Sequence, residues 1–505
     1  MPLPNRFNIA RYCLAEPARR HPGKTALIIA GDGGRERRWN YAELDHAVRR
    51  LAGGLLEAGA RPGERLMIRM DNDLPYLLAF FAGFAAGLVA LPSSAALTAD
   101  EADFLLGDSG AVWLALSDDL ALGHPPPAGV RVLSEAEIWR LAETGPEIEP
   151  ADTAATAPAF LIYTSGTTGR PKGVLHGHQS AWGRRPMVEG WYGLSESDVV
   201  LHAGAFNWTY TLGVGLIDPW ANGATAVLYN GAADPAVWPE LIKRFGVTLF
   251  ATVPSLYRRI LKYGDPSPAK LASLRHGLTA GEALAPALLE EWRARTGKEL
   301  YEALGMSEIS TYISTGPGMA VRPGSPGKPQ PGRRVAILDP ESGRPLPAGE
   351  TGLLAIHRSD PGLMLGYWNR PEEEALVRRG DWFAGGDLAH VDADGYLWFH
   401  GRADDILNTH GYRLSPLEIE RVLERHPAIA DVAVGEVAVA ADLAVLAAFV
   451  VPRRAEVGEA EILDWAAGRL AAYKRPRKVI FLDKLPRTAN GKLLRRQLPG
   501  FTPVP

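Results

Sequence analysis

Two hydrophobic periods alternate along the chain. "YAELDHAVRRLAGGLLEAGA" sets Leu44, Val48, Leu51 and Leu55 on one face at helical spacing, and "ERLMIRM" follows with the look of a short strand. "GVTLFATV" reads as a buried strand. "PSLYRRILKYG" behind it reads as a helix opened by Pro254 and closed by Gly264. Repetition of this alternation to about residue 360 predicts α/β layers around a largely parallel sheet. "LPYLLAFFAGFAAGLVALP", residues 74–92, carries no charge and has Gly83 and Gly87 at the GxxxG spacing, which raises a membrane span. Asp71 and Asp73 precede it, no Lys/Arg cluster flanks it, and helix and strand patterns lie on both sides. The favoured reading is a buried helix running into a buried strand.

The pattern changes near residue 402. "GDLAHVDADGYLWFHGR" predicts a turn with strand character, with Asp392, Asp394 and Gly395 at the turn. Beyond it, "SPLEIERVLERHP" predicts a helix with Ser415 at the cap, Pro416 at its first position and Glu418 three residues after the cap. Two β-rich runs, "IADVAVGEVAV" and "LAVLAAFVVP", and a further helix complete an α+β unit of ordinary domain size. The boundary is placed at Arg402 to Asp405, giving domains 1–403 and 404–505.

Composition narrows the partners. Apolar residues make up 46% and charged residues 22% of the 505, with a net charge of −4. No basic cluster is interleaved with aromatics, so nucleic acid is not an expected partner. Cys13 is the single cysteine, which excludes an internal disulfide and a cysteine-rich metal site. "MPLPNRFNIARYCLAEPARR" lacks the apolar core of a secretory signal, so a cytoplasmic protein without a membrane span is expected.

Candidate chemistry starts at "YTSGTTGRPKG", residues 163–173, directly behind the apolar "APAFLI". Glycines let backbone N–H groups approach an anion and hydroxyls add donors, so a Gly/Ser/Thr loop after a strand suits phosphate. The GxxxxGK[ST] pattern fails, because Pro171 stands five residues after Gly166 and Gly173 follows Lys172. The loop resembles instead the phosphate-loop signature of the acyl-adenylate-forming superfamily, which holds acyl-CoA synthetases, aryl-CoA ligases, luciferases and peptide-synthetase adenylation domains. Five more stretches similar to that family follow in order: "TAGEAL" at 279–284, "LGMSE" at 304–308, "WFAGGD" at 382–387, "GRADDILNTHGYRLSPLEIE" at 401–420 and "PRTANGK" at 486–492. The overall look is nearest to medium-chain and benzoate-type CoA ligases.

The resemblance implies an α/β protein. A large N-terminal domain of layered sheets and helices, with a small β-barrel-like part, would bind ATP and acid. A small mobile α+β C-terminal domain would carry the catalytic lysine. ATP is expected at Thr164, Ser165, Gly166, Thr167, Thr168, Gly169 and Lys172 through its phosphates, with Thr164 counted as catalytic. Adenine is expected against Gly281, Glu282, Ala283 and the stretch Leu304, Gly305, Met306, Ser307; Leu304 replaces the aromatic residue that many relatives stack on the ring. Asp387 and Arg402 are implied at the ribose, and Glu308 as the ligand of Mg2+, a hard oxygen donor for a hard cation beside phosphates.

The implied reaction joins a carboxylate to the α-phosphorus of ATP, releases pyrophosphate, and then passes the acyl group from AMP to a thiol. Lys492 is the implied cation of the first step. Asp404 is the implied hinge about which the small domain turns between steps. Gly411, Tyr412 and Arg413, with Lys474 and Arg475, are the candidate contacts of coenzyme A. The acyl pocket is expected from Ala205, Trp208, Gly213, Ala280, Gly305 and Tyr312. Acetate-using relatives have a tryptophan where Gly305 stands, so the acid is expected to exceed acetate: medium-chain, branched or benzoate-like. No Lys or Arg obviously awaits a second carboxylate. Three functions stay open: a carboxylate–CoA ligase, an adenylating enzyme serving another acceptor such as a carrier-protein arm, and a nucleotide-binding protein without catalysis. Monomer and homodimer are both open.

Overall fold

The computed structural model describes residues 2–501 apart from 165–170, 208, 233, 404–406, 410–411, 415, 441–442, 455–456, 471–473 and 488–492. By their internal contacts the residues form two compact units, Met1–Arg334 with His357–Arg378, and Val335–Ile356 with Arg379–Pro505.

The first unit holds two sheets. In one, Arg131–Leu133, Trp113–Leu116, Arg65–Arg69, Val89–Ser93 and Pro158–Thr164 run parallel, and Lys172–Gly177 and Gly366–Tyr367 add antiparallel strands at one edge. Helix Tyr41–Glu57 starts at a capping box, with Asn40 accepting from the Glu43 N–H and Glu43 reaching back to the Asn40 N–H. Its face of Leu44, Val48, Leu51 and Leu55 is buried in one core with Phe80, Phe81 and Phe84. Burial of each such side chain contributes about 1.5–3 kcal/mol.

The uncharged stretch resolves as helix Leu74–Ala85, buried at every residue, followed by the buried strand Val89–Ser93. No described helix is long and apolar enough to cross a membrane. Helix and strand are closely packed, since a Cβ at Gly83 would stand in van der Waals contact with the Ala90 side chain at 3.4 Å.

The other sheet has nine strands. Thr25–Ala30, Thr225–Tyr229, Val199–His202, Leu249–Thr252, His276–Ala280 and Glu299–Met306 are parallel neighbours in that order. Antiparallel strands close both edges, Glu36–Asn40 at one and Ser310–Ser314 with Lys328–Pro329 at the other. Helix Pro254–Tyr263 ends at Gly264, as its sequence predicts. Ligands in such sheets bind beyond the carboxyl ends of parallel strands, here the ends at His202, Thr252, Ala280 and Met306.

The second unit opens with an antiparallel sheet that branches at Gly352–His357 and includes the hairpin Asp387–Val391/Leu397–Arg402. Further on, strands Ile429–Ala440, Leu443–Pro452 and Lys478–Phe481 form a three-stranded sheet, with helices Pro416–Leu423 and Glu459–Ala467. The Ser415 cap lies outside the described residues. Segments 335–356 and 379–403, whose strands pair with one another, fall in the unit that also holds 404–505.

Candidate active site

The phosphate-loop candidate is carried by a hairpin in the first unit. Strand Pro158–Thr164 pairs with Lys172–Gly177 so that Thr164 stands opposite Lys172. Ser165, Gly166, Thr167, Thr168 and Gly169 lie outside the described residues. Gly173 is a close approach, as a Cβ there would stand 2.9 Å from Leu161 and 3.0 Å from Trp368. The Lys172 ammonium sits 3.8 Å from the centroid of the Tyr367 ring and 3.6 Å from Glu373. The Tyr367 hydroxyl donates to the Glu308 carboxylate at 2.6 Å. One aromatic residue thus joins the two site residues that the resemblance assigns to phosphate and metal.

Glu308 stands in the short connection between Glu299–Met306 and Ser310–Ser314, where Met306 pairs with Ser310. Two contacts hold that connection: Met364 N–H donates to the Glu308 carbonyl at 2.7 Å, and His176 Nε2 lies 2.8 Å from the Ser307 carbonyl. Ser310 has φ of 69°, a left-handed conformation uncommon for serine. Leu304 is half-buried on the strand opposite Ile313. Gly281 takes φ of 89° directly after strand His276–Ala280, with Gly281 and Ala283 exposed. Glu282 turns its carboxylate to the N–H and hydroxyl of Ser255, at the start of helix Pro254–Tyr263. Backbone donors and acceptors at 281–283 are therefore what this turn presents outward.

Among the described residues no group of three or more His, Cys, Asp and Glu side chains is arranged to hold a metal. Glu308 alone fits an ion that arrives with phosphates, since Mg2+ keeps waters and takes one or two carboxylates plus substrate oxygens.

The acyl-pocket candidates lie in different surroundings. A Cβ on Gly305 would stand 2.2 Å from the Ser310 carbonyl oxygen and 2.7 Å from Thr311 Cα. The neighbouring strand leaves little room for a side chain at this position as it stands. Gly213 does border a cavity of about 20 Å³, with His176, Ser180, Arg184, Thr209 and Ser310 among its neighbours. A Cβ on Gly213 would stand 2.2 Å from the Arg184 guanidinium carbon, so glycine makes room for that cation. Ala280 and Tyr312 are buried, Ala205 is exposed, and Trp208 lies outside the described residues.

Arg184 was not visible in the sequence pattern. Its guanidinium meets the Asp218 carboxylate through Nε at 2.8 Å and Nη2 at 2.6 Å, and Asp218 also accepts from Tyr192 at 2.7 Å. Both partners are buried. The one hint is Asp218 itself, a lone carboxylate in the apolar run "LGVGLIDPW", which burial would force to find a cation.

In the second unit Asp387 pairs across the hairpin with Arg402, whose Nη1 donates to Oδ1 at 3.2 Å. The two ribose candidates are thus brought together. Arg475 Nε donates to the Leu470 carbonyl at 2.7 Å, and Lys474 is half-buried. Asp404, Gly411 and Lys492 lie outside the described residues, as do the side chains of Tyr412 and Arg413.

Fold and site define an AMP-forming, acid-activating ligase. Residues 14–368 match the AMP-binding enzyme family and residues 418–492 its AMP-binding enzyme C-terminal domain. The chain belongs to that family. It is 33% identical over 529 residues to the human mitochondrial acyl-coenzyme A synthetase ACSM5, spanning 98% of this chain and 90% of that one. It is similar to the benzoate CoA ligase of Burkholderia xenovorans LB400, with a TM-score of 0.87 at 30% identity over 98% of this chain and all of that one. The anthranilate CoA ligase AuaEII, solved with anthranoyl-AMP, gives 0.88 at 30% identity over 99% and 98%.

Proposed function

We propose that the protein is an ATP-dependent carboxylic acid–CoA ligase acting on an aromatic or medium-chain acid. A carboxylate oxygen of the acid attacks the α-phosphorus of ATP, and the bond to the bridging oxygen breaks with release of pyrophosphate. The thiol of coenzyme A then attacks the acyl carbon, loses its proton, and expels AMP. The observation that carries the reading is the convergence of Lys172 and Glu308 on Tyr367, beside the hairpin whose loop has the family's phosphate signature.

The roles are those that the family resemblance implies. Thr164 and Lys172, with residues 165–169, meet the β- and γ-phosphates. The turn at 281–283 offers backbone groups to the adenine edge, and Leu304 an aliphatic face. Asp387 accepts from the ribose hydroxyls, with Arg402 beside it. Glu308 would hold the magnesium ion that accompanies ATP, and the ion would offset phosphate charge. Lys492 neutralises charge that develops at the α-phosphate during adenylation. The segment from 404 onward is the mobile domain, turning about Asp404, with Gly411, Tyr412, Arg413, Lys474 and Arg475 meeting coenzyme A. The reaction needs only small molecules and is assigned to the cytoplasm.

Support for the acid class comes from the benzoate and anthranilate ligases, both named for aromatic acids. The test is a panel of C2–C10 and aromatic acids assayed for AMP formation with and without coenzyme A. CoA-dependent AMP formation supports the ligase. Pyrophosphate release without a response to coenzyme A would move the acceptor to another thiol, and no pyrophosphate with any acid would overturn the reading.

A further inference from the structure

The hairpin that carries the phosphate-loop candidate has two faces, and the site residues lie on one of them. Residues directly opposite one another on antiparallel strands share a face, and neighbours along a strand alternate. Thr164 and Lys172 therefore share one face, and Tyr163 and Gly173 the other. The third strand keeps the alternation. Tyr367 stands opposite Val174, on the Lys172 side; Trp368 comes next on the Gly173 side, its N–H donating to the Gly173 carbonyl at 2.8 Å. The contacts of Tyr367 with Lys172 and Glu308 belong to the first face.

Asp108 holds the second face. One of its carboxylate oxygens accepts from the Tyr163 hydroxyl at 2.6 Å and the other from Arg370 Nη2 at 2.6 Å, while its carbonyl accepts from Trp368 Nε1 at 3.1 Å. It thus ties together the two strands that flank Lys172–Gly177, on the face where Gly173 has no side chain. Arg65 supports the same corner, its guanidinium 5.6 Å from the Trp368 ring centroid and bonded to the carbonyls of Ser109 and Gly110. Asp108 lies in the last turn of helix Ala99–Ser109, where the helix dipole disfavours a negative charge and no basic residue of that turn offsets it. Its partners come instead from 55 and 262 positions further along the chain. A carboxylate kept where its own helix disfavours it has its reason in those distant contacts. Burial and the bond to Asp108 both raise the Tyr163 pKa, so that hydroxyl stays a donor at neutral pH.

We infer that Asp108 is a positioning residue for the nucleotide: by tying Tyr163 to Arg370 it fixes Thr164 and Lys172, on the opposite face of the hairpin, where the β- and γ-phosphates are proposed to bind. It acts through Tyr163, the neighbour of Thr164. It acts also through Arg370, which leads from Tyr367 into helix Pro371–Leu376, whose Glu373 lies 3.6 Å from Lys172. This rests on the acid–CoA ligase reading and deepens it with a residue that none of the signature stretches contains.

The experiment is initial rates of pyrophosphate release in separate magnesium–ATP and acid titrations, using the best acid of the C2–C10 and aromatic panel, with thermal midpoints alongside. Asp108→Ala should raise the KM for magnesium–ATP by about tenfold or more, since bonds to a charged group are lost on both sides of the hairpin, and leave the KM for the acid in place. Asp108→Asn keeps one acceptor, and its amide can donate to the Tyr163 oxygen, so it should restore most of the nucleotide KM. Tyr163→Phe keeps the ring and should raise the same KM by a smaller factor. Added to Asp108→Ala it should change nothing more, because the two act through one bond. A merely structural Asp108 would lower the thermal midpoint and the yield of active enzyme with both KM values unchanged. That result overturns the inference, as does a joint rise of both KM values. If Asp108→Ala does not fold, Tyr163→Phe and Arg370→Leu decide, and an unchanged nucleotide KM in both overturns it. Any of these failures in an active wild type leaves the ligase reading standing, whereas a wild type that releases no pyrophosphate with any acid removes both.

Discussion

The Tyr367 hydroxyl donates a 2.6 Å hydrogen bond to Glu308, while the face of the same ring lies 3.8 Å from the Lys172 ammonium. The carboxylate proposed to meet magnesium and the cation proposed to meet phosphate are therefore oriented by one side chain. Tyr367→Phe keeps the face and removes the hydroxyl. A hydrogen bond to a charged group contributes about 1.5–3 kcal/mol, so the apparent KM for magnesium–ATP should rise roughly tenfold. Tyr367→Leu removes the cation–π contact as well and should weaken it further, by about 0.5–2 kcal/mol. The KM for the acid should change little. Initial rates across separate magnesium–ATP and acid titrations check this, and an unchanged nucleotide KM in both variants would leave Tyr367 without an orienting role.

Lys492 is proposed to act in adenylation alone. Lys492→Ala should slow acyl-AMP formation a hundredfold or more, as the loss of one preorganised charge contact costs roughly 3–4 kcal/mol. Thioester formation from supplied acyl-AMP and coenzyme A should stay near the wild-type rate. Single-turnover measurements of each half-reaction separate the two, and a parallel fall in both would contradict a domain that alternates between steps.

Much of this architecture was legible because its signals are local. The face of Leu44, Val48, Leu51 and Leu55 and the end signals at Pro254 and Gly264 each lie within a few residues of the helix they define. Asp387 and Arg402 were legible as motif residues, and their pairing follows from a hairpin of short reach. What escaped depends on distant parts of the chain. Arg184 finds Asp218 thirty-four residues on, across turns whose geometry no periodicity encodes. His176 looks like any residue of an alternating strand until Ser307, 131 positions later, claims its Nε2. At Gly305 the sequence shows only that a side chain is missing; how near the Ser310 backbone lies, 2.2 Å from where a Cβ would stand, is set by the strand pairing.

Gly305 accordingly yields a prediction about packing. With Ser310 O only 2.2 Å from where a Cβ would stand, Gly305→Ala should push the Ser310–Ser314 strand aside, and Gly305→Trp should do so more severely. Overpacking of this kind costs typically 1–3 kcal/mol, so the thermal midpoint should fall and activity should drop for every acid in similar proportion. The check is a denaturation curve together with kcat/KM across a C2–C10 series. Retained stability with a profile shifted toward acetate would mean that the position faces the acyl group after all.

Four of the buried histidines are expected to weaken the fold in acid. His176, His178, His202 and His276 are each at most 5% exposed, and burial lowers their pKa values to about 4, 4, 3 and 4, well below the ordinary 6.5. A depressed pKa means that the unfolded chain takes up protons first. Stability is therefore fully present above pH 6.5 and declines as pH falls from there toward 4, by about 3 kcal/mol for each histidine over that window. His202 illustrates the cause, since neither ring nitrogen has a hydrogen-bond partner among the described residues and a protonated ring there would be an unpaired buried charge. Urea denaturation midpoints measured from pH 8 to pH 4 should be flat to about 6.5 and then fall. His202→Phe, which fills the site without a titrating group, should flatten that fall even if it lowers stability at pH 8. A midpoint that stays constant down to pH 4.5 in the wild type would mean that these rings gain partners or solvent that the fold does not provide.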